Sequence, residues 1–178
     1  MIPAPESISD LLDRLSAIVP DYPVEGVSFK DLTPVFADPL GLRRIVDEVI
    51  EPFAGQFDVV AGLEARGFVL AAAAAYASGT GMITVRKAGK LPRPVHRDEY
   101  SLEYGTGTLE LHRDDITPGT RVLVLDDVLA TGGTVGSSVR LLAMAGADVI
   151  GVGVVLELEA LAGRKQLAGL NVHSLQLV

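Results

Sequence analysis

The chain has 178 residues, with 23 Asp and Glu against 15 Lys and Arg and a formal net charge of -8. That length fits a single domain with a core large enough to need no staple, and 48% hydrophobic against 21% charged residues excludes a disordered chain. With no cysteine there can be no disulfide, thiolate metal site or thiol nucleophile, and the acidic balance disfavours a broad nucleic-acid surface.

The first residues, Met1–Glu6, carry neither the basic start nor the apolar run of a secretion signal. The longest apolar runs, 68–77 and 149–156, fall short of the roughly 20 residues that span a bilayer. A cytoplasmic protein without membrane contact is expected. Ile8, Leu11, Leu12, Leu15 and Ile18 recur at helical spacing and predict a helix over 8–19, capped by Ser7. Residues 21–37, rich in Pro and Gly, predict no regular element. A second helix begins at Asp38, its cap, with Pro39 in the first turn and an apolar face of Leu42, Ile45, Val46, Val49, Ile50 and Phe53.

From residue 56 the pattern becomes strand, turn, helix, strand. It places a strand at 57–61, a turn at 62–67, an Ala-rich helix at 68–77 and a strand at 82–85. The same order recurs as strand 121–125, turn 126–133, helix 134–145 and strand 149–156. Two such units predict an α/β fold, a mostly parallel sheet flanked by helices on both faces. Ligands of such sheets collect at the carboxyl ends of the strands, where both turns fall. Between the units, residues 86–108 form a long polar excursion with hairpin character, of the length usual for a functional lid.

The stretch Val122-Leu123-Val124-Leu125-Asp126-Asp127-Val128-Leu129-Ala130-Thr131-Gly132-Gly133-Thr134 carries the most chemistry. A buried strand delivers two carboxylates, a turn of small residues follows, and a helix starts. The free N–H groups at a helix start suit a phosphate; Gly132 and Gly133 permit close approach, and Thr131 and Thr134 add hydroxyls. Asp126 and Asp127 would repel an anion unless they accept bonds from sugar hydroxyls or face a divalent cation travelling with the ligand. Together these features describe a binder of ribose 5-phosphate. A P-loop and a dinucleotide fingerprint are both absent, since Gly89-Lys90 is followed by Leu91 and Gly151-Val152-Gly153 lacks its third glycine. His96, His112 and His173 show no metal spacing, so no metal ligands are assigned.

Residues 122–134 resemble the phosphoribosyl-pyrophosphate motif of the type I phosphoribosyltransferases. Phe29-Lys30-Asp31-Leu32-Thr33-Pro34, Gly62-Leu63-Glu64-Ala65-Arg66-Gly67, Arg86-Lys87-Ala88-Gly89-Lys90-Leu91-Pro92 and Ser101-Leu102-Glu103-Tyr104-Gly105, in that order, narrow the resemblance to the branch that uses adenine. The resemblance covers roughly residues 20–160. It implies one transferase domain over 1–178, with a small N-terminal hood at 20–37 and a flexible lid at 86–108. It also implies that the phosphoribosyl group moves to N9 of adenine, giving AMP and pyrophosphate for purine salvage. Its substrates would be adenine and phosphoribosyl pyrophosphate, with Mg²⁺ carried mainly by the pyrophosphate and ribose hydroxyls, and its assembly a homodimer.

On the same basis Asp126 and Asp127 hold the ribose, and Ala130, Thr131, Gly132, Gly133 and Thr134 hold its phosphate. Arg66, Arg86, Lys87 and Lys90 face pyrophosphate, helped by a strained or cis Glu64–Ala65 peptide, and the 86–90 cluster can serve a neighbouring subunit. A simpler reading of Arg66 pairs it with Glu64. Phe29 stacks on adenine, with backbone groups of Ser28 and Lys30 at the base edge; many relatives carry Arg where Lys30 stands, and lysine lacks that planar face. Glu103 manages the adenine proton and, with Tyr104, forms the catalytic pair on the lid. Two alternatives remain: transfer to another purine such as xanthine, and a non-catalytic sensor of phosphoribosyl pyrophosphate.

Overall fold

Residues 6–101 and 106–178 are described by a computed structural model. Its first elements are α1 (Ile8–Leu15), β1 (Ala17–Pro20), β2 (Ser28–Asp31), α2 (Thr33–Ala37) and α3 (Pro39–Ile50). They are followed by β3 (Val59–Leu63), α4 (Arg66–Ser78), β4 (Gly81–Lys87), β5 (Val95–Ser101) and β6 (Thr106–His112). The chain ends with β7 (Arg121–Leu129), α5 (Gly133–Met144), β8 (Asp148–Glu157) and β9 (Val172–Leu177).

The alternation of side chains along the central strands explains the layering. On β7, Val122 and Val124 belong to one apolar cluster with Val135, Leu141 and Leu142 of α5. Leu123 and Leu125, one residue out of step, belong to a second cluster with Ile45 and Val49 of α3 and Leu70 and Ala74 of α4. A strand buried on both faces in this way sits in the middle of a helix-flanked sheet. The seven-stranded sheet runs β5-β6-β4-β3-β7-β8-β9. Strands β3, β4, β7, β8 and β9 pair in parallel, whereas β6 joins β4 and β5 antiparallel. The expected α/β fold is present, and among the described residues no helix is long and apolar enough to cross a membrane.

Several local expectations need correction. The helix at 8–19 stops at Leu15, and Ala17–Pro20 is a strand instead. Residues 21–37 are not irregular throughout, since β2 and α2 lie there. Strands β1 and β2 form a two-stranded antiparallel ribbon in which Val19 pairs with Phe29 and Ile18 with Lys30. Strand β7 runs through both carboxylates to Leu129, so the turn proper is Ala130–Gly132. Strand β9 was not foreseen. Asp38 does cap α3, accepting from the N–H groups of Leu40 and Gly41, a cap of about 1 kcal/mol.

The 86–108 excursion contains hairpin structure, as expected, but the β5–β6 hairpin runs past it to His112, with Val95 opposite His112 and Ser101 opposite Thr106. The hairpin is tied to α5 by a forked ion pair in which Arg140 Nη2 lies 2.6 Å from Asp98 Oδ2. Glu103 and Tyr104, assigned to catalysis from sequence, lie outside the described residues.

Candidate active site

Two strand ends and two helix starts meet at the carboxyl edge of the sheet. Strand β7 brings Asp126 and Asp127 there, both nearly buried. The N–H of Asp127 donates to Asp126 Oδ1 at 2.9 Å. Burial, followed by repulsion from Asp127, pushes the Asp126 carboxyl well above the ordinary aspartate range. Two acids in so dry a place are costly unless a ligand supplies hydroxyls or positive charge.

Immediately beyond them, Ala130–Val135 line a hollow of about 60 Å³ that Asp126 also borders. Among the described residues, the N–H groups of Ala130, Thr131, Gly132, Gly133 and Thr134 find no protein acceptor; the first bond after the turn is Gly136 N–H to the Gly132 carbonyl at 2.8 Å. Those of Gly132, Gly133 and Thr134 are free donors of a helix start, and the residues that carry all five line the hollow. Gly132 has φ +85°, a conformation costly for any residue with a Cβ. Every residue that the sequence assigned to the phosphate is therefore brought together.

Next to this hollow lies a cleft of about 330 Å³ bordered by Glu64, Arg66, Lys87, Tyr100, Asp126, Asp127 and Thr134. Arg66 opens α4. Its position is fixed by Gly67, where a Cβ would come within 2.8 Å of the Leu125 carbonyl and 3.0 Å of Asp126 Oδ1. The Arg66 Nε sits 2.6 Å from Asp127 Oδ2, a close charge pair without the alignment of a hydrogen bond. Pairing of Arg66 with Glu64, the simpler sequence reading, is not what the structure contains.

Glu64 instead gathers the second cationic cluster. It accepts from Arg86 Nε at 3.2 Å, Lys90 Nζ at 2.8 Å and the Lys87 N–H at 3.1 Å. Burial alone would raise the Glu64 carboxyl, but the hydrogen bonds from Lys90, Lys87 and Arg86 outweigh it and hold the pKa below its usual value. Arg86 also lies 5.8 Å over the Phe68 ring. Of the cluster, Lys87 borders the cleft, while Arg86 and Lys90 are occupied by Glu64. The Glu64–Ala65 peptide is cis, as the resemblance implied.

A third cavity, about 440 Å³, opens on the other side of Arg66 and is lined by Val19, Tyr22, Phe29, Asp31 and Arg66. Arg66 Cζ lies 5.5 Å from the Phe29 ring centre, and Tyr22 meets the same ring edge-on at 5.2 Å. Strand alternation sends Phe29 and Asp31 into this cavity and Ser28 and Lys30 to the opposite side. The Lys30 side chain is therefore absent from the base site: its Nζ bonds Asp13 Oδ1 of α1 at 2.5 Å and Gln176 Oε1 of β9 at 2.7 Å. Any contact of Lys30 with a base is confined to its main chain. Asp31 and Tyr22 were missed in the sequence because their relevance depends on the β1–β2 pairing.

The three spaces are neighbours, with Arg66 lining both the cleft and the Phe29 cavity and Asp126 and Thr134 lining both the cleft and the hollow. They comprise an anion hollow, a polar middle with acids and cations facing each other, and an apolar end with an aromatic wall. Such an arrangement can hold a phosphorylated sugar beside a flat heterocycle.

Comparison with known proteins agrees with this geometry. The family model described as phosphoribosyl transferase domain matches residues 36–171. An adenine phosphoribosyltransferase of Renibacterium salmoninarum is 66% identical over 170 residues, covering 96% of this chain and 93% of the relative. The crystal structure of adenine phosphoribosyltransferase from Rhodothermus marinus superposes with a TM-score of 0.90 at 43% identity, covering 96% of this chain and 98% of that one. The Saccharomyces cerevisiae enzyme, complexed with an imino-altritol bisphosphate and adenine, superposes at 0.89 with 32% identity, over 95% of this chain and 98% of that one.

Proposed function

This chain belongs to the phosphoribosyl transferase domain family, within the adenine phosphoribosyltransferases, and we propose that it joins N9 of adenine to C1′ of 5-phosphoribosyl 1-pyrophosphate. The products are AMP and pyrophosphate, the reaction of purine salvage. The observation that carries this reading is the row of free N–H groups at 130–134 beside two buried carboxylates, with Arg66 lining both the adjoining cleft and the Phe29 cavity.

In this reading the chain acts as one transferase unit. The 130–134 turn holds the 5′-phosphate with N–H donors and the hydroxyls of Thr131 and Thr134. Asp126 and Asp127 accept from the ribose hydroxyls. Phe29 provides the face for adenine, with the main chain of Ser28 and Lys30 along its edge and the 20–37 segment as a hood. The bond from C1′ to the pyrophosphate oxygen breaks as N9 approaches, through a state with oxocarbenium character. Arg66 and Lys87 stabilise the departing pyrophosphate, with Arg86 and Lys90 released to it from Glu64. The N9 proton leaves with help from Glu103, which with Tyr104 keeps the role given by resemblance on the 86–108 lid.

Mg²⁺ fits this donor set as a companion of the substrate. Among the described residues no cluster of three or more acidic or histidine side chains forms a cage for it. Asp126 and Asp127 at the wall of the polar cleft are what an ion held mainly by phosphate and sugar oxygens needs. When bound, it screens charge on the leaving pyrophosphate. A homodimer, in which the 86–90 cluster serves a neighbouring site, and a cytoplasmic location complete the proposal.

The test is pyrophosphate release with adenine, guanine, hypoxanthine and xanthine, each with and without Mg²⁺. Release that depends on Mg²⁺ and on adenine supports the reading. Turnover of xanthine or guanine in preference to adenine would overturn the base assignment, and no turnover of any base would overturn the enzyme.

A further inference from the structure

The 130–134 segment that lines the hollow is itself backed by a stretch outside any recognised phosphate motif. That backing is the 3-10 turn Gly163–Leu167, packed against the main chain of Ala130 and Gly132. A Cβ on Gly132 would stand 2.5 Å from the Gly163 carbonyl oxygen. Conversely, a Cβ on Gly163 would drive into the Ala130 carbonyl oxygen and lie 2.8 Å from the Gly132 nitrogen. The two segments therefore touch backbone to backbone, and only paired glycines allow it. Gly163 does not have a positive φ, so an alanine there is allowed by its own backbone and opposed only by the contact.

The turn cannot drift away from the cradle, because the next residue is locked. Arg164 Nε lies 2.9 Å from Glu157 Oε1, its Nη2 2.5 Å from Oε2, and its Nη1 donates to the Val172 carbonyl at 2.7 Å. Glu157 is almost buried and also accepts from the Ser174 hydroxyl. Its strand position pairs with Leu129, the last residue before the cradle, and the Leu158 N–H donates to the Leu129 carbonyl at 2.9 Å. The path from the end of β8 through Arg164 and Gly163 back to Ala130 and Gly132 is closed.

We propose that Gly163, clamped by the Glu157–Arg164 pair, is a positioning residue that sets the curvature of the phosphate cradle from behind. The proposal rests on the reading of 130–134 as that cradle. N–H groups converging on a tetrahedral anion lose it when displaced by a fraction of an ångström, whereas the residues that line the Phe29 cavity, Val19, Tyr22, Phe29, Asp31 and Arg66, lie outside the 163–167 turn.

The experiment uses the full-length protein and two readouts, steady-state kinetics and calorimetric binding of ribose 5-phosphate, which lacks both base and pyrophosphate. Gly163→Ala is expected to raise the KM for phosphoribosyl pyrophosphate and weaken ribose 5-phosphate by the same factor, about tenfold or more, with the KM for adenine unmoved. Glu157→Gln loosens the clamp without adding bulk and is expected to shift the same two quantities less. It keeps the test valid should Gly163→Ala not fold. Arg164→Lys should recover part of what Arg164→Ala loses. If wild type binds ribose 5-phosphate and both Gly163→Ala and Glu157→Gln bind it equally well, the positioning role is overturned while the cradle stands. Equal rises in both KM values overturn it too, as a merely structural effect. Failure of wild type to bind ribose 5-phosphate at all would overturn the cradle itself.

Discussion

At the scale of single residues, the site is organised by charges placed where water is scarce. Asp126 is the clearest case. Its folded-state pKa is raised by burial and by Asp127, so the folded chain holds a proton that the unfolded chain releases above about 3.8. Stability contributed by that proton is therefore lost as pH rises from 3.8 toward the raised value. Asp126→Asn should flatten this part of the pH–stability profile and raise the melting temperature near neutrality, by about 2–4 °C per kcal/mol recovered. The same change should weaken phosphoribosyl pyrophosphate about ten- to hundredfold, since it replaces a carboxyl acceptor for the sugar hydroxyls by an amide that accepts through one oxygen only. Thermal melts across pH, paired with binding, check both signs. Glu157 runs the other way. Arg164 holds its carboxyl below the usual range, so its stabilisation is present above about 4.5 and lost as pH falls through the folded value. Arg66 touches Asp127 on one side and the Phe29 ring on the other. Arg66→Lys should raise the KM of both substrates, because lysine keeps the charge but loses the planar face; steady-state kinetics with each substrate varied in turn reads this directly.

At the scale of elements, the β1–β2 ribbon depends on the rest of the molecule for its position. Strand β2 is only four residues long and is fastened by Lys30 to Asp13 on α1 and to Gln176 on β9, with Gln176 also donating to Ser9. Lys30→Ala should therefore move Phe29 indirectly: the KM for adenine rises several-fold, while ribose 5-phosphate binding by calorimetry does not change. This anchor also shows where sequence reading fails. The cradle is legible because its strand, acids, turn and helix start are contiguous over 122–134, so periodicity and turn chemistry are enough. The 39–50 helix is legible for the same reason, with cap, proline and apolar face all in one window. The β1–β2 ribbon is not, because Ile18 continues the helical period of Leu11 and Leu15 and only pairing with Phe29 and Lys30 makes 17–20 a strand. Glu64 as the holder of Arg86 and Lys90, and Gly163 behind Gly132, are contacts between segments far apart in the chain. No local signal marks them.

At the scale of the whole molecule, the sheet order places β3 and β7 side by side at its centre. The segments that follow these two strands supply Arg66 and the 130–134 turn, so the parallel topology itself brings the two ends of the proposed ligand site together. The similarity to the adenine phosphoribosyltransferases of Renibacterium salmoninarum and Rhodothermus marinus covers 96% of the chain in each case. The account as a whole depends on whether the N–H groups of 130–134 are ligand donors. The most direct measurement is the amide ¹H–¹⁵N spectrum of the full-length protein titrated with ribose 5-phosphate. The amides of Thr131, Gly132, Gly133 and Thr134 are predicted to move strongly downfield and to exchange more slowly with solvent as the ligand saturates. Binding that leaves those four resonances in place while others shift would contradict the account.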